Sequence, residues 1–517
     1  MPNFIPHDFN QDRFISVSYA DQLLPNTFEH TLWHIVNNCL DFSAFNTRYK
    51  NDAGGRAAYN PSILFTVVIY AYYKGINSSR GISDACRTNV TFKALSCDSE
   101  PHFTTIADFV SSTQDEIEAL FSQVLLLCDK EGLIGKETFA IDGCKMSSNA
   151  AKDSSGSFED LEKKYKKLNS LAKTIINKHK ASDAVETGSD AADIKAKEET
   201  KINRLKLEAK RIRDFLESNE PRIGSRGIEV QSNVTDNDSA KMGGSKGTDQ
   251  GYNGIAAADS KHQIVVATDA VGSVSEHDHL LPMIDAVRDR LQVLKSNQKT
   301  IDNVLFLADT GFSKAANMEA IFSRGINAIV PDNKYRQRDP AFDDYERFKK
   351  TKNGKKRVLK KEMFDKSLFT YSEKEKTCIC PNGVKLLISC ENTKDDGNRY
   401  INFQGPVKAC RNCPLQKKCM RNPVKHSGRQ VRFKYDDPNN VSAMDLMKAI
   451  IDSPEGKEKY SQRMGIVEPV FGNLRGAKKL REFTLRGKIK VNGQWKMYCL
   501  MHNMEKLIKY GELGLCG

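Results

Sequence analysis

Apolar residues recur at helical spacing through the first part of the chain. After a polar Asn26-Thr27 start, Phe28, Leu32, Ile35 and Val36 fall on one helical face, and Pro61 opens an apolar run over 63–73. Further helices are expected to begin near Thr104 and Thr113. The pattern predicts an all-helical N-terminal domain over 1–135, serving either as a DNA-end binder or as a packing domain. The run at 63–73 is too short to span a bilayer and reads as a buried helix.

Beyond it the period changes. Residues 136–142 read as a strand that opens an α/β core at 136–150. Ser157-Phe158-Glu159-Asp160 then has the form of a capping box, with an acid three residues after a serine. Phe158, Leu161, Tyr165 and Leu168, and later Ile202, Leu205, Ala209, Ile212 and Leu216, follow at alternating spacings of three and four. A polar Gly188-Ser189-Asp190 stretch lies between the two runs, so 151–226 reads as a helical hairpin, self-packed or a dimerisation arm. Over 227–333, strands are expected at 252–258, 263–268, 304–308 and 327–330, and helices at 279–294 and 313–323. With the hairpin removed, that order matches a ribonuclease-H-like core, in which carboxylates on the first and fourth strands face each other. A basic, cysteine-bearing insertion at 334–452 and C-terminal helices at 453–517 complete the fold class: α/β, twice interrupted, behind a helical domain.

Charge and cysteine content narrow the function. The 517 residues carry 79 Lys and Arg against 66 Asp and Glu, a net charge of +13, which favours a polyanionic partner, nucleic acid before membrane. Ordinary solubility charge is the alternative. The first residues, Met1-Pro2-Asn3-Phe4-Ile5-Pro6, contain neither a basic leader nor an apolar core, so a cytoplasmic protein is expected. Thirteen cysteines, an odd number, then read as thiols rather than a disulfide framework.

Three acids stand out by their frames: Asp142 in Phe139-Ala140-Ile141-Asp142-Gly143, Asp309 after Val304-Leu305-Phe306-Leu307-Ala308, and Glu468 in a basic helical stretch. With 66 acids available, only such frames can carry an assignment. An Asp directly after strand hydrophobes must emerge at the strand end or meet a positive partner. Each has a plain alternative: a strand-end Asp-Gly turn for Asp142, a helix cap for Asp309, a solvated ion pair for Glu468. Arg475 shares a helical face with Glu468, and Tyr460 shares one with Arg463.

Taken together, these frames and Tyr460-x2-Arg463-x4-Glu468-Pro469-Val470-Phe471-Gly472-x2-Arg475 resemble the DDE transposases of bacterial insertion sequences, more narrowly the insertion-sequence eleven-eighty-two branch. Val234-Thr235-Asp236, Gly251-Tyr252-Asn253 and Cys410-x2-Cys413-Pro414 are similar to that branch too, so the resemblance covers nearly the whole chain. It implies an enzyme that cuts DNA at the terminal inverted repeats of its element and joins the 3′-hydroxyls to target DNA. Asp142, Asp309 and Glu468 would hold two Mg²⁺ (or Mn²⁺) ions, and a homodimer would act on DNA. Tyr460, Arg463 and Arg475 would contact the DNA backbone. Two departures from the related signature bear on this: an extra residue between Arg463 and Glu468 turns Arg463 off the Glu468 face, and Arg475 stands where Lys is common.

Cys380, Cys410, Cys413 and Cys419 offer four soft ligands for a structural Zn²⁺, with Cys378 or His426 as substitutes; free thiols or an iron–sulfur cluster are the alternatives. His277-Asp278-His279 reads as a helix start, not a metal trio. The basic tracts at 347–361 and 475–490, the latter with Lys478, Lys479 and Arg481, read as solvated faces or, beside a nuclease core, as phosphate contacts.

Overall fold

In the computed structural model, the described residues are 18–51, 54, 57–182, 189–224, 227–244, 247–296, 298–342, 363–364, 366–372, 374–393, 399–422, 424–434 and 442–512. They form two compact units, one of residues 1–276, 282–301 and 464–517, the other of 277–281 and 302–463. The basic tract at 347–361 lies outside the described residues. No helix among them is long and apolar enough to cross a membrane.

In the first unit the N-terminal helices form where their start signals stand. Thr27 caps Phe28–Asn38 by accepting from the His30 backbone N–H, and Asn60 caps Pro61–Tyr73. Phe103–Ser112 and Gln114–Lys130 follow at the expected places. The capping box is reciprocal: the Asp160 N–H donates to Ser157 Oγ (3.1 Å) and the Ser157 N–H to Asp160 Oδ2 (3.2 Å). Helix Phe158–Ser182 packs on Ser189–Ser218 through Leu161, Leu168, Ala209, Ile212 and Phe215, so the hairpin buries its own seam.

The sheet of this unit is antiparallel about the strand Gly247–Asp259. Thr138–Ser148 lies along one edge, and Ala240–Gly244 and Val265–Val271 share the other. The short strand Glu482–Phe483 joins Ser147–Ser148 in parallel, which makes the sheet mixed. The last helix, Lys488–Tyr510, is buried on nearly every side: Tyr498 stacks on Tyr72 of the N-terminal helices at 4.1 Å between centroids. Asn503 imitates a strand neighbour by accepting from the Val265 N–H and donating to the Val265 carbonyl, both at 2.8 Å. Polar Gln494, His502 and Asn503 are buried along this helix together with its apolar side chains. Here it joins the N-terminal helices to the sheet.

The second unit has a parallel pair, Leu305–Ala308 with Ala328–Ile329, and an antiparallel meander of five strands: Thr370–Ser372, Thr377–Ile379, Lys385–Thr393, Arg399–Gln404 and Gln430–Lys434. The meander lies in the stretch read from sequence only as a basic, cysteine-bearing insertion. Its strands alternate, with Cys378, Leu386, Ile401, Phe403 and Val431 forming the core.

Candidate active site

Asp142 lies inside a strand, not at its end. Thr138–Ser148 runs on past Gly143, with Asp142 opposite Ala256 and Gly143 opposite Ile255, so the strand-end turn is excluded. Inward positions at Cys144, Met146 and Ser148 continue the alternation beyond the Asp-Gly pair. The carboxylate is half-buried, and its Oδ1 accepts from the Gly143 N–H at 2.8 Å.

Arg475 reaches the same strand. Burial pushes the Cys144 thiol up to about 11, the hydrogen-bonded Arg475 guanidinium opposes that, and the charges of Asp142 and Glu276 add to it. Arg475 sits in a π-helical turn, Asn473–Ala477, that continues the helix Pro454–Gly472, and wide turns of this kind often mark functional sites. Glu468 is exposed on that helix, one residue before Pro469. Proline cannot donate to the carbonyl four residues back, and Gln263 Nε2 bonds that Gly465 carbonyl instead, at 3.3 Å.

Asp309, in the second unit, follows Leu305–Ala308 and precedes the short turn Thr310–Phe312, where its side chain makes no capping bond. Its carboxylate, 37% exposed, faces Arg463 Nη2 at 3.8 Å. The Arg463 side chain is only 7% exposed and lies over the Tyr460 ring at 5.8 Å; Tyr335 meets that ring edge-on. Burial pushes the Tyr460 hydroxyl well above its usual range. With four residues between them, Arg463 and Glu468 lie on different faces of their helix, and Arg463 meets Asp309. Asp142 and Glu468 belong to the first unit and Asp309 to the second.

Among the basic residues, Lys478 is engaged internally: it is 5% exposed, 2.9 Å from Glu505 Oε1 and over the Tyr73 ring at 3.8 Å. Lys479 and Arg481 are exposed, as is Arg475. His277–His279 is a short helical turn leading into Leu280–Val293, in keeping with a helix start, and Asp278 accepts from Lys314 Nζ at 2.8 Å.

Beside Asp142 stand Asn253, which the sequence reading named only within a motif, and Glu276, which it passed over. Asn253 Nδ2 donates to Glu276 Oε1 at 2.8 Å, and this pair covers Gly143 so closely that a Cβ there would lie 2.6 Å from Asn253 Nδ2. The signal was present in Asp142-Gly143: a glycine within a strand marks a close approach as readily as a turn.

Cys380, Cys410, Cys413 and Cys419 line one pocket, closed by Leu386, Met420 and Arg429. Burial raises the Cys419 thiol, Arg429 lowers it, and the other three thiols raise it further. Cys410 Sγ is wedged against two glycines, since a Cβ on Gly405 or Gly428 would come within 2.5 or 2.9 Å of it. Cys378 is instead buried in the sheet core, its thiol pushed up to about 11 by burial, and His426 does not line the pocket. Among the described residues, no three or more His, Cys, Asp or Glu side chains are closed into a metal cluster, and none of the twelve described cysteines is in a disulfide.

Residues 379–508 match the family model described as "Transposase DDE domain", and residues 19–112 match that of a "Transposase domain (DUF772)". Both matches support an insertion-sequence DDE transposase. No curated protein and no solved structure matches the chain. The DDE match contains Glu468, Tyr460, Arg463, Arg475 and the four pocket cysteines, whereas Asp142 and Asp309 lie outside both matches. A DDE transposase domain implies DNA as partner and dependence on a divalent metal in general.

Proposed function

We propose that this chain is a DDE transposase of the insertion-sequence eleven-eighty-two type with a ribonuclease-H-like core, acting as a homodimer on the terminal inverted repeats of its element. The match of residues 379–508 to a transposase DDE domain, with Glu468 inside it, carries the reading. Asp142, Asp309 and Glu468 are the proposed ligands of two Mg²⁺ (or Mn²⁺) ions. Hard divalent cations take carboxylate oxygens, and the Asp309 carboxylate is half-exposed and makes no capping bond. When bound, such ions polarise the scissile phosphate and stabilise the attacking and leaving oxygens.

In this reading each residue has a distinct task. Arg463, largely desolvated, faces the Asp309 carboxylate and holds it in position. Tyr460 supports that guanidinium from below with its ring. Arg475, exposed on its wide turn and hydrogen-bonded to Cys144 of the Asp142 strand, is the proposed contact for a DNA phosphate. Lys479 and Arg481 are exposed candidates for further phosphate contacts, while Lys478, bound to Glu505, is left out. Water attacks the element boundary first and the freed 3′-hydroxyl then attacks target DNA, each in line.

Glu468→Gln tests the reading on DNA carrying the element ends with Mg²⁺. The expected outcome is unchanged DNA binding, with cleavage lost by more than the ~100-fold that removal of a mere outer-shell partner costs. Cleavage by the variant at the wild-type rate removes Glu468 from the site. Binding by wild type without any cleavage identifies a silent DNA-binding protein, and cleavage without joining a plain nuclease.

The four pocket thiols belong to the same proposal as a structural Zn²⁺ site, since soft thiolates gathered on one pocket suit zinc. Cys380 is preferred over Cys378, which is part of the core. Purified protein should then carry about one zinc per chain. Cys413→Ser should release it; a wild type without zinc, or a variant that keeps it, refutes the assignment.

A further inference from the structure

The five-stranded meander of the second unit has one face buried and, among the described residues, the other exposed. Residues 370–434 hold 14 Lys and Arg against 5 Asp and Glu, a surplus of nine, so 65 residues of 517 carry most of the chain's net +13. Register and alternation divide the side chains. With Cys378, Leu386, Ile401, Phe403 and Val431 turned inward, the partners Lys385, Leu387, Tyr400, Asn402, Gln404 and Arg432 point outward. Lys385 and Arg432 are exposed, and Leu387 is 62% exposed.

These outward side chains are organised among themselves. Arg432 Nε donates to Asn402 Oδ1 at 2.7 Å and its guanidinium lies 5.7 Å from the Tyr400 ring centre; Asn402 Nδ2 in turn donates to the Cys390 carbonyl at 3.2 Å. Arg432 is therefore oriented by Asn402 and stays exposed. No outward position of the described strands carries a carboxylate; Glu391 stands at the opposite register, opposite Ile401, and is paired with Lys376 at 2.9 Å. A sheet face whose described outward positions carry an aromatic ring, an ordered guanidinium, amides and a lysine, and no acid, has the composition of a surface that binds a nucleic-acid strand: phosphates on the cations, a sugar or base on the ring.

We infer that this outward face is a DNA-docking platform, separate from the carboxylates proposed to hold metal, which takes the phosphate backbone through Lys385 and Arg432 and an unstacked base or sugar on Tyr400. This rests on the reading of the chain as a transposase, which makes DNA the polyanion at hand. Its role is to grip DNA and not to react with it.

The test uses the full chain carrying Glu468→Gln, so that DNA stays intact, with Lys385→Ala and Arg432→Ala added together. Affinity is measured against salt for a duplex and a single strand of the same length. By counterion release, loss of two phosphate contacts should flatten the log–log salt slope by about 1.8 on duplex or about 1.4 on single strand, and weaken duplex binding on the order of 30-fold at 0.15 M salt. Tyr400→Ala should weaken binding to the single strand more than to the duplex. If Arg432→Ala lowers the melting temperature, Arg432→Gln, which removes the charge but can still bond Asn402, replaces it. Unchanged slope and affinity in the double variant, against a parent that binds, overturns the platform and leaves the transposase reading standing. A parent that binds no DNA at all overturns both.

Discussion

Trp495→Ala should be among the most destabilising single substitutions in the first unit, by about 3–5 kcal/mol. Trp495 is fully buried, and its indole N–H donates to the Ile255 carbonyl at 3.0 Å. Its ring stacks with Phe471 and meets Phe483 edge-on, each at 6.3 Å between centroids. It also lies directly against Gly254, where a Cβ would come within 3.0 Å of the ring. Truncation removes one of the largest core side chains, leaves a cavity that Gly254 cannot fill, and strips a hydrogen bond from a carbonyl inside the sheet. Gly254 is paired with Cys144, two residues from Asp142, so the cavity opens behind the strand that carries the proposed ligand. Denaturant titration should give a lower midpoint for Trp495→Ala and an intermediate one for Trp495→Phe, which keeps most of the volume but not the N–H. A midpoint within experimental error of wild type contradicts this account of the core.

Gly251→Ala should cost about 3 kcal/mol, at the upper end for overpacking, because its obstacle is backbone. A Cβ at Gly251 would lie 2.0 Å from the Met146 carbonyl oxygen and 2.9 Å from Ser147 Cα, so the strands Thr138–Ser148 and Gly247–Asp259 would have to part. No side chain can rotate to relieve it. Gly243, on the neighbouring strand, has nothing within 4 Å of its Cβ position, and Gly243→Ala should fall within about 0.5 kcal/mol of wild type. Thermal melts of the two variants decide it: equal melting temperatures would mean that the close approach at Gly251 is not rigid.

Near-neighbour chemistry was legible in the sequence. Thr27 and the Ser157–Asp160 box start their helices because a short polar side chain meets an orphan N–H two or three residues on, a relation that needs no tertiary partner. The hairpin seam was readable for the same reason, since alternating threes and fours place Leu161, Leu168, Ala209 and Ile212 on facing stripes. Asp142 and Asp309 were likewise recognisable as acids that follow apolar strands. Whether a strand stops or continues was not: Asp-Gly is compatible with a turn and with a strand whose glycine lies under Asn253 and Glu276, and only the neighbouring strand decides.

Long-range partners and facing were decided by the tertiary structure alone. Lys478, Lys479 and Arg481 look alike along the chain, yet Lys478 is drawn in by Glu505 and Tyr73 while the other two stay in solvent. Arg463 could be placed off the Glu468 face from helical spacing, but its partner Asp309 lies 154 residues earlier in the chain. The meander at 370–434 was hidden because short strands separated by Lys-rich turns give weak alternation, and pairing across strands is what sorts Arg432 and Tyr400 from Val431 and Ile401. Sequence by itself determined which residue types are present, which helices begin where, and the excess of positive charge; tertiary structure decided which of those charges are neutralised inside and which remain in solvent, because burial and ion pairing depend on segments that the chain brings together only on folding.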